Sequence, residues 1–77
     1  MLKDNKLKRD CLGEGIILST VKTVFMNWYG DYETAITFDN QSTWKILKGY
    51  DTKDQAIKGH EEFKKMSIDE LMSLKGL

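Results

Sequence analysis

Three β-rich runs separated by very short links most constrain this chain. The runs are Ile16 to Met26, Tyr32 to Phe38 and Thr43 to Tyr50, each dense in β-branched or aromatic residues. In the second, YETAITF, Tyr32, Thr34, Ile36 and Phe38 point one way and Glu33, Ala35 and Thr37 the other. Val21, Thr23 and Phe25 share a face of the first run, opposite Lys22, Val24 and Met26. In the third, Trp44, Ile46 and Tyr50 fall together, opposite Lys45 and Leu47. The links are a turn at Asn27 to Asp31, around Gly30, and a loop of Asp39, Asn40, Gln41 and Ser42. Neither is long enough for a parallel crossover, so the three strands form an antiparallel meander.

The chain beyond Tyr50 is helical. Thr52 stands three residues before Gln55 and Ser67 three before Glu70, and each spacing is that of a capping box. The first opens a long helix to about Met66, with Ala56, Ile57, His60 and Phe63 on one side. The second opens a short helix, Ile68 to Lys75, stopped by Gly76, with Ile68, Leu71, Met72, Leu74 and Leu77 along its apolar edge. Before the strands, residues 1–12 hold Lys3, Lys6, Lys8 and Arg9 among few apolar groups and read as a flexible arm. Gly13 and Gly15 mark a turn rather than a phosphate loop, since no lysine–hydroxyl pair or helix comes after them. The expected class is α+β: a three-stranded antiparallel meander and two C-terminal helices, β-β-β-α-α, in a single domain over 1–77.

At 77 residues, such a chain buries only about 60% of its unfolded surface, which leaves it marginal alone. Small domains add disulfides, metals or oligomerisation. Cys11 is the single cysteine and His60 the single histidine, so oligomerisation is the expected supplement. One thiol and the absence of any apolar run near ~20 residues point to the cytoplasm. Twelve basic and twelve acidic residues cancel, which argues against a coat for bulk nucleic acid.

The chemistry-bearing residues are few. His60 lies on an apolar helical stripe, where a hydrogen-bonded histidine at the helix–sheet interface is expected. No nucleophile or paired acid accompanies it in a recognisable pattern, so the chain reads as a non-enzyme without metal or cofactor. Glu61, Glu62, Lys64 and Lys65 read as the solvated side of the helix. The aromatics are the better lead. Tyr32, Trp44 and Tyr50 suit a sheet core, whereas Trp28 and Tyr29 are adjacent beside a glycine and are hard to bury together. A ring next to Glu33 and a threonine has the makings of a nucleobase site, with stacking on the ring and a carboxylate for the base edge.

The stretch from Tyr32 to Glu62 resembles a family of small tailed-phage proteins. The shared elements are an aromatic before Glu33-Thr34, then Tyr50-x-Thr52-x-x-x-Ala56 and Gly59-His60-Glu61. Family members often carry Glu-Glu-Ala where this chain has Asp54-Gln55-Ala56. Through its size and phage character the chain also resembles the anti-CBASS sponges, oligomeric immune-evasion proteins that sequester cyclic nucleotide signals without cleaving them. That resemblance implies a cyclic dinucleotide or related ligand, a homo-dimer or tetramer, and no membrane partner. Trp28, Tyr29 or Tyr32 would stack on bases, Glu33 and Thr34 would read base edges, Arg9 or Lys22 would contact phosphate, and His60 would support the site. The alternative is a small phage protein that inhibits a host or defence protein by direct binding, since exposed Trp and Tyr also anchor protein interfaces.

Overall fold

The computed structural model describes residues 6–23 and 30–76. It contains four strands and two helices, in the order β1 (Lys6–Gly13), β2 (Ile16–Lys22), β3 (Tyr32–Thr37), β4 (Lys45–Tyr50), α1 (Lys53–Lys64) and α2 (Ile68–Ser73). The strands form one antiparallel sheet in sequence order. The α+β class and the meander are as the sequence predicts, but the sheet has four strands rather than three. The fourth is β1, built from most of the segment expected to be a flexible arm.

β1 escapes the sequence pattern because two of its inward positions, Lys8 and Asp10, are polar, and only Leu12 reaches the apolar core. Lys8 and Asp10 point toward α1, where an alternation of apolar residues would ordinarily mark a strand. They are held by ion pairs instead: Lys8 Nζ lies 2.6 Å from Glu61 Oε2, and Asp10 sits 2.7 Å from His60 Nε2 and 3.4 Å from Lys64 Nζ. The Glu61 and Lys64 side chains, expected to be merely solvated, are thus the helix's contacts to the edge strand. A two-residue turn, Glu14-Gly15, joins β1 to β2, with Gly15 at φ 72° and its carbonyl accepting from Asn40 N–H at 3.0 Å.

The second departure lies in β4. Thr34 pairs with Lys48, but its neighbour Ala35 pairs with Ile46, so Leu47 is an extra residue in the ladder. Such a bulge breaks the strict alternation of faces. Leu47 and Tyr50 therefore both turn toward the helices and are buried, while Ile46 faces the other way with Arg9 and Val21. The expected grouping of Trp44, Ile46 and Tyr50 is split at this bulge.

Helix α1 begins where its cap dictates. Thr52 accepts from Gln55 N–H at 3.2 Å and the Gln55 side chain reaches back to the Thr52 N–H at 3.3 Å. Ser67 and Glu70 make the same reciprocal pair at α2. Both helices end sooner than expected, at Lys64 and Ser73, and Leu74 is already extended. The core gathers Leu18, Ile36, Leu47 and Leu71, flanked by Leu12, Phe38, Phe63, Ile68 and Leu74. Of the expected α2 edge, Leu71 is buried and Met72 is 58% exposed; Leu77 lies outside the described residues.

The β3–β4 loop is locked by Asp39, which accepts from the Thr37 hydroxyl and the Thr43 N–H, each at 2.8 Å, and from the Thr43 hydroxyl. Those bonds, the Thr43 hydroxyl first, hold its carboxyl down at about 2. A depressed folded value adds stability above the unfolded value near 3.8, lost as pH falls toward about 2.

Gly59 lets α1 lie directly on Tyr50: a Cβ there would come within 2.5 Å of the Tyr50 hydroxyl oxygen, Cε1 and Cζ. Gly59→Ala should therefore lower stability by about 1–3 kcal/mol in urea unfolding. In a Tyr50→Ala background the same change should cost less than half as much, and equal costs in both backgrounds would show that the contact does not limit α1.

Candidate functional site

The helices cover one face of the sheet and leave the other uncovered among the described residues. The register lays the uncovered side out in rows. One row runs Arg9, Ser19, Ala35, Ile46 and the next Lys6, Val21, Glu33, Gly49. Ser19 and Ala35 are small, so the surface dips between taller neighbours. The result is a groove of about 460 Å³ lined by Arg9, Trp44, Gln41, Glu33, Val21 and Ile46, among others. Its volume falls within the range of small-molecule sites.

Lys6, Arg9 and Glu33 all line this groove, and Arg9 is held in place. Its guanidinium lies 5.8 Å from the centre of the Trp44 ring and donates to Gln41 Oε1. Trp44 is 39% exposed, rather than in the core where its residue type suggests it belongs. A guanidinium held over an indole keeps its planar fork in a defined direction, and that fork matches phosphate or carboxylate. Gln41 reaches Arg9 from a loop in which Asn40 and Gln41 both take positive φ, 54° and 73°.

The covered side holds a different arrangement. His60 is 0% exposed, and both ring nitrogens are engaged: Nδ1 lies 2.7 Å from Thr20 Oγ1 and Nε2 lies 2.7 Å from Asp10 Oδ2. Thr20 Oγ1 is 2.6 Å from Thr34 Oγ1, and Thr34 donates to the Tyr50 hydroxyl at 3.1 Å. Thr20, His60 and Asp10 thus have the order of a hydroxyl–imidazole–carboxylate triad. It offers no nucleophile, however, because Thr20 is sealed at 0% exposure and its oxygen is shared with Thr34. Asp10, His60 and Glu61 also bring three ligand-type atoms within 4.8 Å of one another. The Lys8 and Lys64 ammonium groups already lie against those carboxylates, filling the positions a cation would take.

The eight residues expected at a site therefore separate. Arg9 and Glu33 share the open groove. Thr34 on β3 and His60 on α1 are buried between helix and sheet, each bonded to Thr20 between them and His60 also to Asp10, rather than turned to solvent. Lys22 and Tyr32 are paired at the ends of β2 and β3, in line with Tyr50. Trp28 and Tyr29 lie outside the described residues. Sequence reasoning missed Trp44 and Gln41. The only signal for Trp44 was its place beside the loop, and the bulge at Leu47 hid which face it takes. Comparison with family models, curated proteins and solved structures returns no match.

Asp10 carries the electrostatic consequence of this packing. Its carboxyl is held below the ordinary aspartate range, first by the hydrogen bond from His60 and then by Lys64. A lowered folded pKa stabilises above the unfolded value, and that stability drains away as pH falls through the folded one. Asp10→Asn should flatten the loss of thermal stability below about pH 4 relative to the parent chain; an unchanged acid limb would show that Asp10 does not couple to folding. Thr20→Val, which keeps the shape but leaves His60 Nδ1 and Thr34 short of a partner, should cost about 1–3 kcal/mol, read as a lower urea midpoint.

Proposed function

We propose that this chain is a phage immune-evasion protein that binds and sequesters a cyclic nucleotide defence signal without cleaving it, acting as a homo-oligomer in the host cytoplasm. The observation that carries the reading is the Arg9–Trp44 pair in the open groove. A cyclic nucleotide is a flat base joined to an anionic phosphate ring. An indole and an oriented guanidinium in one concave site are the two groups such a ligand asks for. Glu33 lines the same groove and can accept from the polar edge of a base. The binding-without-turnover part is supported by the one histidine, which is enclosed with both nitrogens engaged. The zero net charge suits a binder that must ignore bulk nucleic acid.

The second reading, an inhibitor that binds a host or defence protein, draws on the same exposure of Trp44, since half-exposed Trp beside Arg is also the composition of a protein hot spot.

A thermal-shift screen against cyclic di- and trinucleotides separates the two. Ligand at 100 times its dissociation constant stabilises by about 2.7 kcal/mol, a rise on the order of 10 °C or more for a domain this small. Arg9→Ala and Trp44→Ala should each reduce that rise while leaving the unliganded melting temperature within a few degrees, and the ligand should be recovered intact. A flat screen, with stabilisation by a host protein instead, would replace the sponge with the inhibitor.

A further inference from the structure

Arg9 is held by neutral groups. Its guanidinium donates to the Gln41 amide oxygen and lies 5.8 Å from the centre of the Trp44 ring. The ion pairs among the described residues join Lys8 to Glu61, and His60 and Lys64 to Asp10, and Arg9 enters none of them. A carboxylate at position 41 would grip the guanidinium more firmly, because a hydrogen bond between two charged groups is the stronger kind. It would also neutralise it. An amide oxygen aims the cation and leaves its charge for something else.

The backbone at position 41 points the same way. Asn40 and Gln41 both lie in the left-handed region, with φ of 54° and 73°. Asparagine tolerates that region, whereas a glutamine Cβ is crowded there and glycine is the unstrained choice. The loop is nevertheless clamped in this form. Gln41 N–H donates to Thr37 Oγ1 at 3.0 Å, the Thr37 hydroxyl donates to Asp39 at 2.8 Å, and Asn40 N–H reaches over to the Gly15 carbonyl at 3.0 Å. Those bonds fold the β3–β4 loop onto the β1–β2 turn and so bring Gln41 within reach of Arg9 on β1. A strained residue in a clamped loop points to a task for its side chain, and the partner of this side chain is Arg9.

We propose that Gln41 is the positioning residue of the open groove: it holds Arg9 as a pre-aimed cation whose remaining donors take a phosphate. Nη2 serves Gln41, and the guanidinium fork carries further N–H donors for the oxygens of a phosphate. Lys6 and Glu33 are the other charged groups that line the groove. The inference deepens the nucleotide reading, on which it rests for the identity of the ligand, by naming the group that orients the phosphate contact.

The test follows the Arg9 side-chain ¹⁵N signals of the full chain by NMR, with inorganic pyrophosphate as a probe that carries phosphate and no base. In the parent chain, rotation of the Arg9 guanidinium should be slow, and pyrophosphate should move its signals saturably. Gln41→Ala should speed the rotation and weaken pyrophosphate binding roughly three- to tenfold, the scale of freeing one long side chain. Gln41→Glu should keep the rotation slow and yet weaken pyrophosphate binding further, which a purely structural role for Gln41 does not predict. Gln41→Gly should loosen Arg9 as Gln41→Ala does while melting at a higher temperature, since glycine relieves the left-handed strain. The proposal is overturned if pyrophosphate leaves the Arg9 signals of the parent chain unmoved, if Gln41→Ala leaves the rotation unchanged, if Gln41→Glu binds pyrophosphate as well as the parent, or if Gln41→Gly melts below Gln41→Ala. Pyrophosphate bound at Arg9 together with a flat cyclic-nucleotide screen would remove the sponge and keep this site; a nucleotide that stabilises the chain without moving Arg9 would do the reverse.

Discussion

The fold depends on His60 bridging α1 to the sheet through two bonds of 2.7 Å, one to Asp10 and one to Thr20. Through Thr20 the bridge continues to Thr34 and Tyr50, so one connected set of polar atoms touches all four strands and the main helix. A chain this short has few large apolar side chains to place between its layers. The fully buried large residues include His60, Thr20, Thr34 and Thr37 beside Leu18, Ile36 and Leu71. Polar atoms sealed in this way are costly when left without partners and rigid when all are satisfied. Here each of the connected hydroxyl and imidazole groups has a partner.

That arrangement explains both what the sequence reveals and what it hides. Capping boxes are local: a hydroxyl and a Gln or Glu three residues on fix a helix start wherever they occur, so Thr52 and Ser67 were legible. The alternation in YETAITF was legible because β3 is interior and its inward Ile36 meets Leu18 and Leu47. β1 was not, because its inward Lys8 and Asp10 are matched by residues about fifty positions away on α1. No local pattern announces a strand whose inner face is ionic at two positions and apolar only at Leu12. The bulge at Leu47 was hidden for a related reason: the shift shows itself only in the pairing of β4 with β3. Of the candidate site, Arg9 and Glu33 could be chosen as residue types, but the face that gathers them is set by the register of β1 and by that bulge.

The two sides of the sheet divide the work. The covered side spends its polar residues on one another, including the only imidazole. The open side keeps Arg9 oriented by Trp44 and Gln41 above a floor of Ser19 and Ala35. Strand parity makes that division sharp. Asp10 and Arg9 are neighbours in sequence, yet one is bound into the interior network and the other looks outward across the groove.

The same parity ties the open groove to the stability of the covered side. Arg9 reaches its place only because β1 is seated on the sheet, and β1 is seated by Asp10 against His60 and Lys8 against Glu61. The pairing of Arg9 with Ser19 is one step along the ladder from that of Asp10 with Leu18. A change that loosens the Asp10–His60 bond therefore acts on Arg9 without touching the groove. Edge strands are the elements most ready to detach, since only one side of them is hydrogen-bonded to the sheet. Position and orientation of the guanidinium are thus properties of the interior network as much as of Trp44 and Gln41.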